Sequence, residues 1–527
     1  MRDNPAKLSS PLPRSGDEGE TGEAGASRFK ARERGKKATA VLVLLLLAAC
    51  EVGPDYHKPP VETPPAYKEL DGWKQGTPQQ AGSDTAWWSI YNDPVLDGLM
   101  RQIDISNQNL KASEAVYREA LALTAQARSN LFPTISANAS AQKVSVNGTS
   151  SQSVLSVAGG LSWELDIWGA IRRNIESASA NAQASGADLA AARLSAQGSL
   201  ATNYFELRVA DALKDLLDAE VAAFEHSLKI TQNKYDAGTA ARTDVAQAET
   251  QLEQTRAQAI NVGVGRAQFE HAIAVLIGKP PAELTIAPVK FSMAPPPVPV
   301  GVPSELLERR PDIAAAERTM ASANAQIGVA ISSFYPTINL TGSYGFTGLA
   351  LDGLFAASNA VWAVGPQLAL TVFDAGNREA QVEQARATYD QNVALYRQTV
   401  LTAFQQVEDQ LAALRILEQE AVVQDRAVAA ALEAERLTLN QYEAGTVDYT
   451  TVVTAQTTSL NNQQTALTAF REVADALVSR EKLTAARIQQ QRAVNSATAV
   501  LTLCLNWSSR PSSGAGTTSG QFLVRMV

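Results

Sequence analysis

Asn130-Leu-Phe-Pro-Thr-Ile-Ser-Ala-Asn-Ala-Ser140 and Ser333-Phe-Tyr-Pro-Thr-Ile-Asn-Leu-Thr-Gly-Ser343 are two versions of one stretch. The first opens a segment that closes at Trp168-Gly169, the second a segment that closes at Asp374-Ala-Gly376. Each reads as two strands joined by a loop and set between helices, with strands expected near 134–144, 154–167, 337–347 and 362–373. In the second strand, Leu155, Val157, Leu161, Trp163, Leu165 and Ile167 share a face, with Ser156, Ser162, Glu164 and Asp166 on the other. In the third, Ile338, Leu340, Tyr344 and Phe346 alternate with Thr337, Asn339, Thr341 and Ser343. A soluble sheet with one wet face shows this alternation. So does a membrane barrel, with apolar residues turned to lipid and polar ones to a wet lumen. The pattern alone does not separate the two.

The rest of the chain narrows the choice. It has 527 residues, with aromatics at 6% and alanine abundant, a composition suited to long helices in close contact rather than to a large globular core. The longest apolar run, Ala38 to Ala49, is too short to cross a bilayer as a helix, so membrane contact falls to strands or lipid. The formal charge is −9; residues 1–49 hold nine Lys/Arg and six Asp/Glu, which leaves 36 basic and 48 acidic groups from Cys50 onward. Nucleic acid is a poor partner for such a surface. Cys50 and Cys504 stand too far apart in context for a disulfide framework, and His57, His226 and His271 lack metal-ligand spacing. No nucleophile elbow and no phosphate-binding glycine loop occurs, and Gly263-Val-Gly265 lies inside a helical stretch. We expect no enzyme activity and no cofactor.

In chain order, residues 1–49 read as a polar extension followed by an export signal, in which Arg34, Lys36 and Lys37 precede an apolar core ending Leu47-Ala-Ala-Cys50. The last four residues have the form of a lipidation signal, with Cys50 as the acylated residue; each buried methylene of an acyl chain contributes about 0.8 kcal/mol of membrane affinity. Residues 50–93 form an arm, with Val52-Gly-Pro-Asp-Tyr56 and then Pro59, Pro60, Pro64 and Pro65, which exclude helix. Asp93-Pro94 opens a helix expected over 94–131. After the first strand pair, whose loop lies around Asn147-Gly148, a proline-free helix is expected from Ala170 to Tyr235, with seven-residue spacing in Ala210, Leu217 and Phe224. It stops at Tyr235-Asp-Ala-Gly238-Thr239, and a further helix runs to about Ile277.

Residues 279–303 are a Pro-rich crossover, after which the plan repeats. Leu307-Glu-Arg-Arg-Pro311-Asp-Ile313 opens a helix, the second strand pair follows, and a second proline-free helix from about Asn377 stops at Tyr442-Glu-Ala-Gly445-Thr446. Gly169 to Gly376 and Gly238 to Gly445 are the same offset, which marks 94–278 and 304–490 as an internal repeat, with 491–527 as a terminal segment. At about 1.5 Å per residue the two long helices are rods of roughly 100 Å and the shorter ones about 55 Å, so two short helices end to end match one long one. Four strands do not close a barrel, and open edges do not survive in lipid, so closure has to come from further copies of the chain.

Taken together, the Leu-Ala-Ala-Cys50 signal, Val52-Gly-Pro-Asp-Tyr56, Trp87-Trp88 to Asp93-Pro94, Arg309-Arg-Pro-Asp-Ile313, Phe373-Asp-Ala-Gly376 and the paired Ala-Gly-Thr turns resemble the TolC-like outer-membrane efflux factors, and among them the NodT/OprM-type lipoproteins of tripartite RND pumps. The resemblance spans about residues 41–490. It implies a mixed fold: a long α-helical periplasmic barrel, plus four β-strands per chain contributing to a twelve-stranded outer-membrane barrel shared by a homotrimer. The arm after Cys50, the 279–303 crossover and the C-terminal segment would build an equatorial belt. The partners implied are a periplasmic adaptor, an inner-membrane RND pump and outer-membrane lipid. The turns would form the tip that meets the adaptor, here Gly238, Thr239, Arg242, Asp244, Gly445, Thr446, Asp448 and Tyr449. Asp244, Thr451 and Thr454 would line the entrance, with threonines at two positions where the family commonly carries Asp. Asp244 and Asp448 equally suit a helix-capping role. A type I protein-secretion duct and a non-conducting coiled-coil adhesin are the rival readings.

Overall fold

A computed structural model of the chain describes residues 51–62, 64, 68, 86–145, 151–289 and 310–484. Cys50, the export signal, the loop around Asn147-Gly148, most of the crossover and the segment holding Cys504 lie outside the described residues. The chain divides into two compact units: one holds residues up to Gly53 with Ile135–Ala170 and Ser332–Leu370, and the other holds Pro54–Thr134, Ile171–Ile331 and Thr371–Val527.

The first unit is a four-stranded sheet in sequential order, β1 (Thr134–Val144), β2 (Gln152–Glu164), β3 (Thr337–Gly348) and β4 (Ala360–Ala369). β2 and β3 pair antiparallel from Leu155 opposite Gly348 to Glu164 opposite Asn339, and β3 and β4 from Thr337 opposite Ala369 to Phe346 opposite Ala360. Two strands are shorter at their ends than the alternation predicts. β2 stops at Glu164 rather than near 167, because the Leu165 amide still donates to the Ile338 carbonyl (2.9 Å) but the Ile167 amide folds back onto the Leu165 carbonyl (2.8 Å). Trp168 then donates its indole N–H to the Pro336 carbonyl (2.8 Å) and stacks on Tyr335 at 4.7 Å. β4 stops at Ala369 rather than near 373, because its partner Thr337 follows Pro336, which has no amide to extend the ladder.

The second unit is helical: α1 (Pro94–Ser106), α2 (Gln108–Ser129), α3 (Ala170–Asp236), α4 (Arg242–Leu276), α5 (Pro311–Ser332), α6 (Asn377–Glu443) and α7 (Tyr449–Thr484). α3 and α6 are both 67 residues long, about 100 Å each. The single helix expected over 94–131 is two. Asn107 leaves helical geometry at ψ 120°, caps α2 by accepting from the Leu110 amide (2.9 Å), and donates its side-chain amide to the Leu276 carbonyl (2.7 Å). The Ser106 hydroxyl donates to the Ile277 carbonyl beside it. The break is therefore where the C-terminus of α4 meets α1 and α2, and its unpaired carbonyls find donors there.

The largest core lies at this level. Trp87, Trp88, Tyr91, Leu96, Met100 and Ile103 pack on Leu200, Tyr204, Phe205 and Leu207 of α3 and Ile273 of α4. Full burial of such side chains is worth about 1.5–3 kcal/mol each. Polar groups are paired inside it: the Trp87 indole donates to Gln197 (3.2 Å), Trp88 to Asp97 (3.1 Å), and Asp93 accepts from the Val95 and Leu96 amides and from the Tyr204 hydroxyl. Arg208 and Arg266 both reach Asp211 (3.1 and 2.6 Å) and donate to the carbonyls of Ala287 and Ile286 (2.9 and 2.6 Å), which straps the start of the crossover to α3 and α4.

Candidate functional site

Three places carry the sequence-derived expectations: the sheet, the arm after Cys50 and the paired turns. In the sheet the register settles the faces. Leu155, Val157, Leu161 and Trp163 of β2 lie opposite Gly348, Phe346, Gly342 and Leu340 of β3. Ile338, Leu340, Gly342 and Tyr344 lie opposite Leu368, Pro366, Val364 and Trp362 of β4. Because paired residues share a face and side chains alternate, three strands contribute to one uninterrupted apolar face. Trp362 and Val364 on it are 67% and 70% exposed. The other face is built from Ser156, Ala158, Gly160, Ser162 and Glu164 against Thr347, Gly345, Ser343, Thr341 and Asn339.

Small residues are required on that polar face. A Cβ at Gly345 would fall 2.5 Å from the Ala158 Cβ, and one at Gly160 would fall 3.0 Å from the Ser136 hydroxyl, which also puts Ser136 of β1 on the polar side. Such crowding is what the inner face of a curled sheet experiences. The alternation was legible in the sequence; the small-residue requirement across β2 and β3 was not, because it joins residues nearly two hundred positions apart.

The arm motif divides between the two units. In the sheet unit, the Val52 amide donates to the Trp168 carbonyl (3.1 Å). In the helical unit, Asn324 donates to the Pro54 carbonyl (2.9 Å), Asp55 pairs with Arg173 (2.8 Å), and the Tyr56 hydroxyl donates to Glu317 (2.6 Å). The Arg173 guanidinium holds the Asp55 carboxyl below its usual range. Each polar residue of Val-Gly-Pro-Asp-Tyr thus has a partner on α3 or α5, and residues 54–56 are held against these helices.

The two Ala-Gly-Thr turns have one geometry. Gly238 and Gly445 sit at φ +78° and +77°, the left-handed region that a side chain resists. The Thr239 amide donates to the Lys234 carbonyl (2.8 Å) and the Gly238 amide to that of Tyr235 (2.8 Å); Thr446 and Gly445 repeat both bonds onto Gln441 (2.9 Å) and Tyr442 (3.0 Å). This is the Schellman cap. The threonine hydroxyls add a bond each to the same carbonyls. Lys234 donates to the Glu443 carbonyl (3.1 Å) and lies over the Tyr442 ring, so the turns are neighbours.

The named tip residues separate into surface and support. Gly238, Thr239, Arg242, Gly445, Thr446, Asp448, Thr451 and Thr454 are exposed, and Asp244 is half-buried. Tyr449 is not a surface residue: it is 1% exposed, packed with Tyr442, Ala248 and Val452, and burial pushes its hydroxyl up to about 12. Its place on the apolar side of the first turn of α7 turns it inward. Asp448 is the N-cap of α7, accepting from the Thr451 amide (2.9 Å) and hydroxyl (2.6 Å), which hold its carboxyl below the usual value. Asp244 accepts from the Ala241 amide (3.2 Å) in the first turn of α4. The capping role of both is therefore visible. Thr454 bonds back to the Thr450 carbonyl (2.9 Å) and, with Thr438, Asp448, Thr451 and Ala455, lines an open recess of about 410 Å³.

Sequence reasoning missed a buried carboxyl on α3, Glu220, which feels the charge of Glu435 of α6. Glu220 of α3 is 7% exposed and accepts from Gln463 (3.1 Å) through one oxygen. Burial and the nearby Glu435 push its pKa up, and burial does the same to Glu435. Nothing in the spacing of Glu220 and Glu435 could have related them.

A family model described as outer membrane efflux protein matches residues 99–279 and 302–486. The toluene efflux pump outer membrane protein TtgC of Pseudomonas putida is 31% identical over 438 residues, 80% of this chain and 89% of that protein. Nodulation protein T of Rhizobium leguminosarum bv. trifolii is 31% identical over 426 residues, 78% of this chain and 89% of that protein. Among solved structures, the outer-membrane channel OprN superposes with a TM-score of 0.77 at 28% identity, over 84% of this chain and all of that one.

Proposed function

This chain belongs to the outer membrane efflux protein family, and from that premise we propose that it is one third of a passive exit duct, completed by two further copies. Its place is the outer membrane and its work is efflux. The single observation that carries the duct reading is the two-faced sheet: a continuous apolar face across β2, β3 and β4, backed by small polar residues. Apolar outside and polar inside is the sense of a membrane barrel. Among the described residues no helix is long and apolar enough to cross a membrane.

A sheet ordered β1-β2-β3-β4 has two unpaired edges, and hydrocarbon does not tolerate them. Three copies supply twelve strands and join edge to edge. The lower part of α6 supports the same assembly, since Ile416, Val422, Val423 and Leu437 are exposed on it and suit a second copy of the chain. The matched halves, each with a 67-residue helix ending in the same cap, support descent from a duplicated unit. Acylation at Cys50 would tether the arm. The exposed turn residues Gly238, Thr239, Arg242, Gly445, Thr446 and Asp448 would meet a periplasmic adaptor that links the duct to an inner-membrane RND pump. In this assembly the pump supplies the energy, and the chain needs no cofactor. Small apolar compounds are the cargo suggested by the toluene pump relative.

Purified protein should run as a trimer in detergent and give ion conductance in planar bilayers, and its deletion should sensitise cells to toxic small molecules. A detergent-independent monomer with no conductance would overturn the duct reading. Cys50→Ser should abolish acylation while sparing the trimer.

A further inference from the structure

The connection between β3 and β4 reads Leu349-Ala-Leu-Asp-Gly-Leu-Phe-Ala-Ala-Ser-Asn359, with one charged residue. The corresponding stretch between β1 and β2 reads Ser145-Val-Asn-Gly-Thr-Ser-Ser151. A connection meant for water has little use for three leucines and a phenylalanine. This one is folded by its own hydrogen bonds: the Leu354 amide donates to the Leu351 carbonyl (3.2 Å), Ala356 to Gly353 (2.9 Å) and Asn359 to Ala356 (2.9 Å). The Asn359 side chain adds a bond to the Gly353 carbonyl (3.0 Å).

The direction of the fold is the informative part. Leu354 is 3% exposed, and its Cδ1 lies where a Cβ at Gly348 would meet it at 3.1 Å. Gly348 opposes Leu155 and belongs to the apolar face. The Phe355 ring meets Phe346, on the same face, edge-on at 5.4 Å, and Phe346 meets Tyr344 at 5.7 Å. The loop therefore bends over the apolar face and not over the polar one. Leu349, Leu351 and Phe355 are left exposed, Leu351 at 78%. Phe355 continues the apolar face beyond the last rung of the ladder, and Leu349 and Leu351 add exposed apolar surface to the same connection. Asp352 alone interrupts the run, next to Gly353 at the turn.

We propose that residues 349–357 are a lipid-inserted anchor, with Leu349, Leu351 and Phe355 seated among acyl chains at the membrane interface and Asp352 held at its wet edge. The occupant follows from continuity: the loop's exposed side chains adjoin a face whose medium is lipid, and an exposed apolar cluster of this kind marks a contact surface. Aromatic and aliphatic side chains at the rim of a barrel favour that boundary. The inference rests on the membrane reading of the sheet and deepens it: this connection belongs to the wall of the duct and not to its mouth.

The test uses the full chain in vesicles of phosphatidylethanolamine and phosphatidylglycerol, with Cys504→Ser and Cys50 left in place. A nitroxide is attached at Leu351→Cys, at Val364→Cys on the middle of the apolar face, or at Ser151→Cys beside the other connection. Collision with oxygen and with a water-soluble nickel chelate is then measured by power saturation. The expected result is that Leu351, like Val364, collides with oxygen several-fold more than with nickel, at a shallower depth, while Ser151 shows the reverse. Nickel access at Leu351 equal to that at Ser151, with Val364 still in lipid, overturns the anchor and leaves the wall intact. Protection of Leu351 from both agents also overturns it, because the loop then packs on protein. Nickel access at Val364 removes the membrane reading itself, and the anchor with it.

Discussion

The two long helices have the same length and end in the same cap, yet they are used differently. α3 buries residues in nearly every turn from Ile171 to Thr231, including the closely packed Ala180, Ala184, Gly186, Ala187 and Ala190. α6 buries only Ala431 between Leu417 and Tyr442, and exposes Val422, Val423, Leu432 and Leu437 over the same span. One rod is covered within its own chain; the other leaves apolar side chains exposed. The same contrast recurs in the turns. Tyr235 and Tyr442 occupy one position of a shared motif, but Tyr442 is buried against Tyr449 with its hydroxyl near Thr231 (3.3 Å), whereas Tyr235 is exposed beneath Arg242. A repeated sequence supplies the same helix and the same stop; its neighbours decide which copy becomes core.

The sharpest way to break this contrast is to substitute one apolar residue on each rod. Phe224→Ala in α3 should cost about 3–5 kcal/mol of folding stability, as buried aromatic truncations do. Val423→Asp on α6 should change the fold of the single chain by about 0.5 kcal/mol or less. It should nevertheless abolish association of copies, read by sedimentation in detergent. An equal melting loss from both would remove the distinction.

The turns give the next effect. Gly445→Val forces a branched side chain into left-handed geometry, a strain of about 1–2 kcal/mol. Local hydrogen exchange should rise at Ala444–Thr446, and cross-linking to a cognate adaptor should fall while barrel assembly persists. Gly238→Val should match it if the two caps are equivalent, and unchanged cross-linking in both would count against a docking role. Asp448→Ala, which removes the N-cap of α7, should destabilise that terminus by about 1 kcal/mol. Exchange at the Thr451 amide, its direct donor, reports the change.

The smallest effect concerns pH. Glu220 and Glu435 have raised pKa values in the folded chain, so the native state holds protons that the unfolded chain has released. Stability therefore falls as pH rises from the ordinary glutamate range through the raised values. Glu220→Gln should flatten that decline and raise the melting temperature at neutral pH without changing it in acid. A parent chain with no decline across this window would contradict the raised pKa values.

Several features were legible in the sequence because they are local. The 2-residue alternation of Leu155 to Trp163, the absence of proline from Ala170 to Tyr235, and the Ala-Gly-Thr stops depend only on dihedral preference and near neighbours. So do the N-cap sites at Asp93 and Asp448, which are seen as hydrogen bonds. The break at Asn107 was hidden, since nothing between Pro94 and Leu131 forbids a continuous helix; it exists because the Leu276 carbonyl needs a donor there.

The sequence by itself determined the two long helices, their capped stops and the two-faced character of the strands, because backbone geometry and side-chain period are properties of adjacent residues. Tertiary structure alone decided that Tyr449 lies inside, that Gly345 must be glycine, that Glu220 is buried against Gln463, and that the β3–β4 connection turns toward the apolar face. Each of these depends on a residue of another element, and distance across such separations is set by packing and not by spacing along the chain.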